Sequence, residues 1–317
     1  MSLCYHFKDK RPGRLSVPNR RPEIILAEER GFCFGVRRAL EIIEAAGRKY
    51  GRVQSLGGIV HNLQVVKRLE DVGVTVVKSL DEVTTPVVAI TAHGVGPGIP
   101  AEARARGYEV IDTTCPLVTK VHQAVKKLAD DGFFIIIFGE PNHPEVRGAL
   151  GWAGSARTLA TLNWEDIKKI KPLPHKIGIV SQTTQPVSLF SNFVKAIMDW
   201  AFPRPVEIRV VNTICDPTIK RQQDAVELAR QVDVMIVIGG RHSANTRHLA
   251  EMCAAEGVET HHIEVPEEVD PAWLRGRSRV GVTAGASTPD WIIEAVVRRL
   301  EEIADQVAAE EGVVAGD

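Results

Sequence analysis

The chain has 317 residues, 44% of them hydrophobic, with 39 Lys and Arg against 40 Asp and Glu and a formal net charge of −1. That length allows two or three subdomains sharing a core, and the charge balance gives no electrostatic footprint for nucleic acid or an anionic membrane surface. No apolar run is long enough to span a bilayer, MSLCYHFKDKRPGRLSVPNRRPE lacks a signal peptide's apolar core, and five cysteines with no CxxC pair argue against a disulfide framework; a soluble, cytoplasmic protein is expected.

Residues 1–22 are basic, carry Pro12, Pro18 and Pro22, and read as a mobile extension. From Glu23 the pattern is regular: EIILAE is a strand, RGFCFG a turn and VRRALEIIEAAGRKYG a helix with apolar residues three and four apart. VQSLGGIV reads as a strand ending at His61, and NLQVVKRLEDVG as a helix closed by Gly73. VTVV and PVVAITAHG are strands, the second delivering His93 into a loop; a helix over about 100–106 leads to YEVIDTTC. After Cys115 follow the helix VTKVHQAVKKLADDG, the strand FFIIIF, the loop GEPNHPE, a short helix, and the strand KIGIVSQTT with a helix behind it. After Cys215 follow the helix KRQQDAVELARQ, the strand VMIVIG, the loop GRHSANT, a helix to about 256, the strand RVGVTAGAS and the helix DWIIEAVVRRLEEIADQV, with 305–317 as tail. Strands alternating with helices, several of them solid apolar runs, indicate an α/β fold with parallel sheets covered on both faces.

Two stretches are near copies: IDTTCPLVTKVH at 111–122 and VNTICDPTIKRQ at 211–222, while GFCFGVRRAL sets Cys33 in a comparable place. Each cysteine sits between a strand-like and a helix-like run, where the amides and dipole of a helix N-terminus favour the thiolate. Adding 28 to 33, 115 and 215 gives His61, His143 and Ser243, and two residues further on stand Glu145 and Asn245 in the second and third copies. Three related α/β units are the simplest explanation, over 23–107, 108–205 and 206–304. Packed around a pseudo-threefold axis, their strand ends would bring the three thiols to one point.

Three thiolates could hold zinc, although gaps of 82 and 100 residues, from 33 to 115 and 115 to 215, are unlike paired zinc ligands. They could also hold a 4Fe–4S cluster, leaving one iron open for substrate. Around that point the loops after strands place His61, His93, His143, Ser181, Thr183, Thr184, Ser243, Asn245 and Ser287, a set suited to a phosphate-like anion. Glu145 is either a general acid or a plain carboxylate in a helix's first turn.

The motifs RGFCFGV, VHN, AHGV, TCP, HPEV, SQTT, TIC, RQ, SAN and TAGAS stand in this order between about residues 24 and 304. By them the chain resembles the 4-hydroxy-3-methylbut-2-enyl diphosphate reductases, the LytB/IspH family of the methylerythritol phosphate route to isoprenoids. The resemblance implies three lobes around a 4Fe–4S cluster on Cys33, Cys115 and Cys215, or a 3Fe–4S cluster after oxidation. It places His61, His93, His143, Ser243, Asn245 and Ser287 on the substrate diphosphate. By the same resemblance Thr183 and Glu145 would lie by the substrate hydroxyl, with Glu145 in the proton path. It further implies a two-electron reductive dehydroxylation to isopentenyl and dimethylallyl diphosphate, with ferredoxin or flavodoxin as electron donor. GGRHSANT departs from the family, with His242 and Ala244 where Asn and a second Ser are usual. One lost neutral hydrogen bond is worth about 0.5–1.5 kcal/mol, roughly two- to twelvefold in affinity. A diverged paralogue acting on another allylic diphosphate, and a non-catalytic iron–sulfur sensor, are the alternative readings.

Overall fold

The computed structural model describes residues 21–314, and their side chains as far as residue 310, so the expected 1–22 extension lies outside it except for its last two positions. The chain opens on β1 (Glu23–Leu26) and, through the turn holding Cys33, enters α1 (Phe34–Tyr50). Next come β2 (Val53–Leu56), α2 (Leu63–Glu70), β3 (Val74–Val77), β4 (Val87–Ile90), α3 (Gly98–Ala105) and β5 (Glu109–Asp112), which leads to Cys115. The second passage runs α4 (Pro116–Asp130), β6 (Phe134–Phe138), α5 (Pro144–Trp152), β7 (Thr158–Thr161), α6 (Trp164–Ile167), β8 (Lys176–Ser181), α7 (Val187–Ala201) and β9 (Glu207–Val210), which leads to Cys215. The third runs α8 (Asp216–Ala229), β10 (Val234–Ile238), α9 (Ala244–Ala255), β11 (Glu259–Ile263), β12 (Arg279–Ala284) and α10 (Asp290–Val314).

These strands form three parallel four-stranded sheets, ordered β3-β2-β4-β5, β7-β6-β8-β9 and β11-β10-β12-β1. The three orders are one order. β1 takes the place in the third sheet that β5 and β9 take in the first two, and this closes the repeat into a ring: the fourth strand of every sheet feeds the cysteine of the next lobe. The α/β class with three parallel sheets is as expected. The lobe boundaries differ from those at 107/108 and 205/206, because β5 and β9 belong to the sheets before them and β1 belongs to the third.

The solid apolar strands follow from burial on both faces. In β10, Val234, Ile236 and Ile238 pack with Leu300, Ile303 and Val307 of α10, whereas Met235 and Val237 pack with Leu228 of α8 and Leu249 and Cys253 of α9. In β6, Phe134, Ile136 and Phe138 meet Phe190, Phe193 and Ile197 of α7, whereas Ile135 and Ile137 meet Val125 and Leu128 of α4. Each such side chain contributes about 1.5–3 kcal/mol on burial. The outer strands β1, β5 and β9 each begin with an exposed Glu and bury less.

Three other expectations need correction. β2 stops at Leu56, where Gly57 turns at φ 88, so His61 hangs beyond the strand on a loop. β7, α6 and β11 were not anticipated: TLAT and ETHHI carry too few apolar residues to stand out. Residues 305–314 are not a tail but the last turns of α10, with Val307 only 2% exposed.

Candidate active site

Cys33, Cys115 and Cys215 are the N-caps of α1, α4 and α8, each in extended conformation. Their backbones are fixed by one repeated bond. The N–H of Cys33 donates to Ala286 O at 3.3 Å, that of Cys115 to Ala92 O at 3.0 Å, and that of Cys215 to Thr183 O at 3.1 Å. Each acceptor stands two residues past the third strand of its sheet, β12, β4 or β8. All three thiols line one cavity of about 750 Å³, a volume that includes the open space at its mouth. Gly35 leaves the room they need: a Cβ there would overlap Cys115 Sγ and come within 4.0 Å of Cys33 Sγ. Cys215 Sγ lies 3.1 Å from Thr218 Oγ1.

The helix termini act on Cys115 and Cys215 in the expected direction, but burial outweighs them. Burial pushes the Cys215 thiol up to about 11 despite its bonds to Thr218, and raises Cys115 despite the amides of Leu117 and Val118. At both cysteines desolvation outweighs the helix terminus.

The same cavity gathers His61, His93 and His143. Their ring centroids are 4.2, 5.1 and 5.5 Å apart, and one nitrogen of each lies within 4.8 Å of the others. All three are neutral near pH 7. Burial holds His93 well below its usual range and brings His143 to about 3, with mutual repulsion adding to it, and it also lowers His61. His143 caps α5, its Nδ1 accepting from Glu145 N at 3.2 Å, while His61 Nε2 is buried with no partner among the described residues.

Ser243 caps α9, with Oγ accepting from Thr246 N at 3.4 Å. Asn245 Oδ1 accepts from Ala286 N at 2.9 Å, which leaves Nδ2 buried and unpaired among the described residues. Ser287 Oγ donates to His61 O at 3.2 Å and so ties the third lobe to the first. Ser243, Asn245 and Ser287 all line the cavity, as does Ala244, whereas His242 is solvent-exposed.

Glu145 is 3% exposed at the start of α5 and meets Thr183 twice. Thr183 N donates to Oε1 and Thr183 Oγ1 bonds Oε2, both at 2.7 Å. Burial raises the carboxyl to about 7 against the downward pull of those two bonds. Thr184 also lines the cavity, and its carbonyl is held by His248 Nδ1 at 3.0 Å. Ser181 does not: its hydroxyl is spent on Phe138 O at 3.3 Å and Gln182 O at 3.0 Å. Thr218 and Arg221, both on α8, also line the cavity; neither is among the site residues expected from the sequence, although Arg221 opens the RQ motif.

Comparison with known proteins accords with this geometry. A family model described as LytB protein matches residues 24–301. A 4-hydroxy-3-methylbut-2-enyl diphosphate reductase of Dehalococcoides mccartyi (strain CBDB1) is 48% identical over 273 residues, covering 86% of this chain and 95% of that one. One from Pelobacter propionicus is 47% identical over 281 residues, covering 88% and 98%. A solved structure described as (E)-4-hydroxy-3-methyl-but-2-enyl diphosphate reductase, the terminal enzyme of the non-mevalonate pathway, aligns with TM-score 0.65 at 43% identity over 89% of this chain and 99% of that one. The reductase structure from Plasmodium falciparum aligns with TM-score 0.81 at 30% identity over 88% of each chain. The three-lobed chain, with its cysteines and histidines turned to one cavity, belongs to the LytB protein family.

Proposed function

We propose that Cys33, Cys115 and Cys215 hold a 4Fe–4S cluster with one iron left open, and that His61, His93, His143, Ser243, Asn245 and Ser287 bind the diphosphate of a substrate lying beside it. The reaction is the reductive dehydroxylation of 4-hydroxy-3-methylbut-2-enyl diphosphate to isopentenyl and dimethylallyl diphosphate, the last step of the non-mevalonate route to isoprenoids. The allylic C–O bond breaks, two electrons and two protons enter, and the hydroxyl leaves as water.

The residues suit both groups. Three thiols cap three helices around one cavity, with Gly35 keeping their centre clear. In the same cavity, His61 Nε2 and Asn245 Nδ2 are buried polar atoms without partners among the described residues. An unsatisfied buried donor costs about 1–3 kcal/mol, and an anionic oxygen relieves that cost. An incoming diphosphate also draws the three neutral imidazoles back toward protonation, since a nearby negative charge favours their charged form.

When bound, the cluster supplies single electrons, delivered by a ferredoxin- or flavodoxin-type donor, and a Lewis-acidic iron for the hydroxyl. The chain's own part is to place the substrate, exclude water and deliver a proton. The amide of Thr183 can only donate, so Oε1 of Glu145 is committed as acceptor and the carboxyl proton resides on Oε2. From there it passes to Thr183 Oγ1, whose own proton is handed on to the leaving hydroxyl. A carboxyl raised to about 7 is well matched to that task near neutrality.

The observation that carries this reading is the meeting of Cys33, Cys115, Cys215, the three histidines and Glu145 in one cavity, from three separate lobes. Anaerobically purified protein should be brown, absorb near roughly 400 nm and contain iron and sulfide. It should turn over the allylic diphosphate with a chemical reductant. A protein that stays colourless after anaerobic reconstitution with iron and sulfide refutes the reading.

A further inference from the structure

Six residues beyond each cap cysteine, α1, α4 and α8 carry Ala39, Val121 and Arg221, exposed to only 0%, 1% and 2%. Two of these equivalent positions are apolar, as a buried helix face requires. The third holds a guanidinium. Its Nη2 donates to Gly31 O at 2.7 Å, while Nε and Nη1 have no partner among the described residues. A buried guanidinium with Nε and Nη1 unpaired among the described residues is a costly feature for a core to contain.

The place of Arg221 explains why the cation is there. It is the one Lys or Arg among the described residues lining the cavity, and the three imidazoles that share the lining are neutral. It lines the same cavity as the sulfurs of Cys33 and Cys215, and the carboxylates of Glu29 and Asp224 also act on it. Burial lowers its basicity, yet an arginine keeps its charge. The anchor is itself constrained. Gly31 turns at φ 72, and a Cβ there would lie 3.0 Å from Asp290 Oδ1 and from Ile293 Cδ1, so the carbonyl that holds Arg221 requires glycine.

We propose that Arg221 is the charge-balancing residue of the cysteine site, its fixed positive charge compensating the anionic sulfur set of Cys33 and Cys215 and favouring one-electron reduction there. The inference rests on the reading that these cysteines hold an iron–sulfur cluster. An added electron makes such a cluster more negative, and a guanidinium held in a dry cavity stabilises the reduced form. Arg221 acts through the cluster and touches no reacting atom, which makes it a positioning residue.

The test is a potentiometric titration followed by EPR on anaerobic wild type, Arg221→Gln and Arg221→Lys. The Gln variant should shift the one-electron equilibrium at least about tenfold toward the oxidised form, a midpoint about 59 mV more negative, and the Lys variant should stay within about threefold of wild type. A Gln variant within about threefold of wild type overturns the proposal, since a packing role alone leaves the potential in place. If Arg221→Gln purifies without iron, the Lys variant decides: wild-type iron content supports a need for charge, and loss in both overturns it. A wild-type protein without a cluster overturns the parent reading and this one with it, whereas a wild-type cluster with an unmoved potential in the Gln variant overturns this one alone.

Discussion

Replacing Glu145 with Gln keeps the shape of the side chain and an acceptor for the Thr183 amide, but removes the transferable proton from Oε2. Two consequences have calculable sizes. Burial raises the carboxyl from 4.5 to about 7, and at about 1.36 kcal/mol per pH unit the folded protein prefers the acid form by roughly 3 kcal/mol. The sign follows from proton binding: between pH 4.5 and about 7 the unfolded chain has lost the proton and the folded chain has kept it, so stability falls as pH rises through that window. This contribution is complete below pH 4.5 and gone above about 7, and the Gln variant lacks it. Urea unfolding of both proteins side by side should therefore show the variant gaining about 3 kcal/mol on wild type between those limits, with parallel behaviour outside them. Turnover should fall about 10²–10⁴-fold, or roughly 2.7–5.4 kcal/mol, at unchanged cluster content. The wild-type rate should decline tenfold per pH unit above about 7, as the acid form is lost, and the variant's residual rate should lack that limb. An unchanged rate, or stability curves that run parallel from pH 4.5 to 7, refutes the assignment of Glu145 as a buried acid.

Gly35→Ala puts a methyl group where Cys115 Sγ lies, so iron content should fall while far-UV circular dichroism holds, because Ala is the better helix former by about 0.8–1.0 kcal/mol; full iron occupancy contradicts it. Ala244→Ser returns a hydroxyl to the cavity wall, and KM for the allylic diphosphate should drop about two- to twelvefold with kcat held, a result that an unchanged or higher KM rules out. Cys253 lies in the core behind β10, its thiol pushed up to about 12 by burial. Cys253→Ala should cost about 1 kcal/mol in unfolding free energy and keep wild-type iron, whereas Cys215→Ala should lose it; the reverse pattern would make Cys253 a ligand.

The cysteine repeat could be read from the sequence because each copy is local: strand, cysteine and helix lie within about a dozen residues, and cap geometry depends on little else. The partner of β1 could not be read. Glu23 pairs with Arg279 across nearly the whole chain, and a short apolar strand carries no mark of the sheet it will join. The role of Glu145 was undecided for a similar reason. A first-turn carboxylate and a buried acid look alike until Thr183, from the loop after β8, is seen to occupy both oxygens.

The cysteines and Arg221 show where local reasoning fails in the opposite direction. A helix N-terminus does stabilise a thiolate, and the amides of Leu117, Val118 and Thr218 do act on Cys115 and Cys215, but burial in the assembled ring outweighs them, and the thiols move the other way. The cavity walls come from all three lobes, so that burial cannot be read from any one of them. By the same argument, Arg221 stands in plain sight, six residues past Cys215 where the other copies have Ala39 and Val121, and on an exposed helix face it would signify nothing. Its burial at 2% exposure, in the cavity the cysteines line, is what sets this change in the repeat apart.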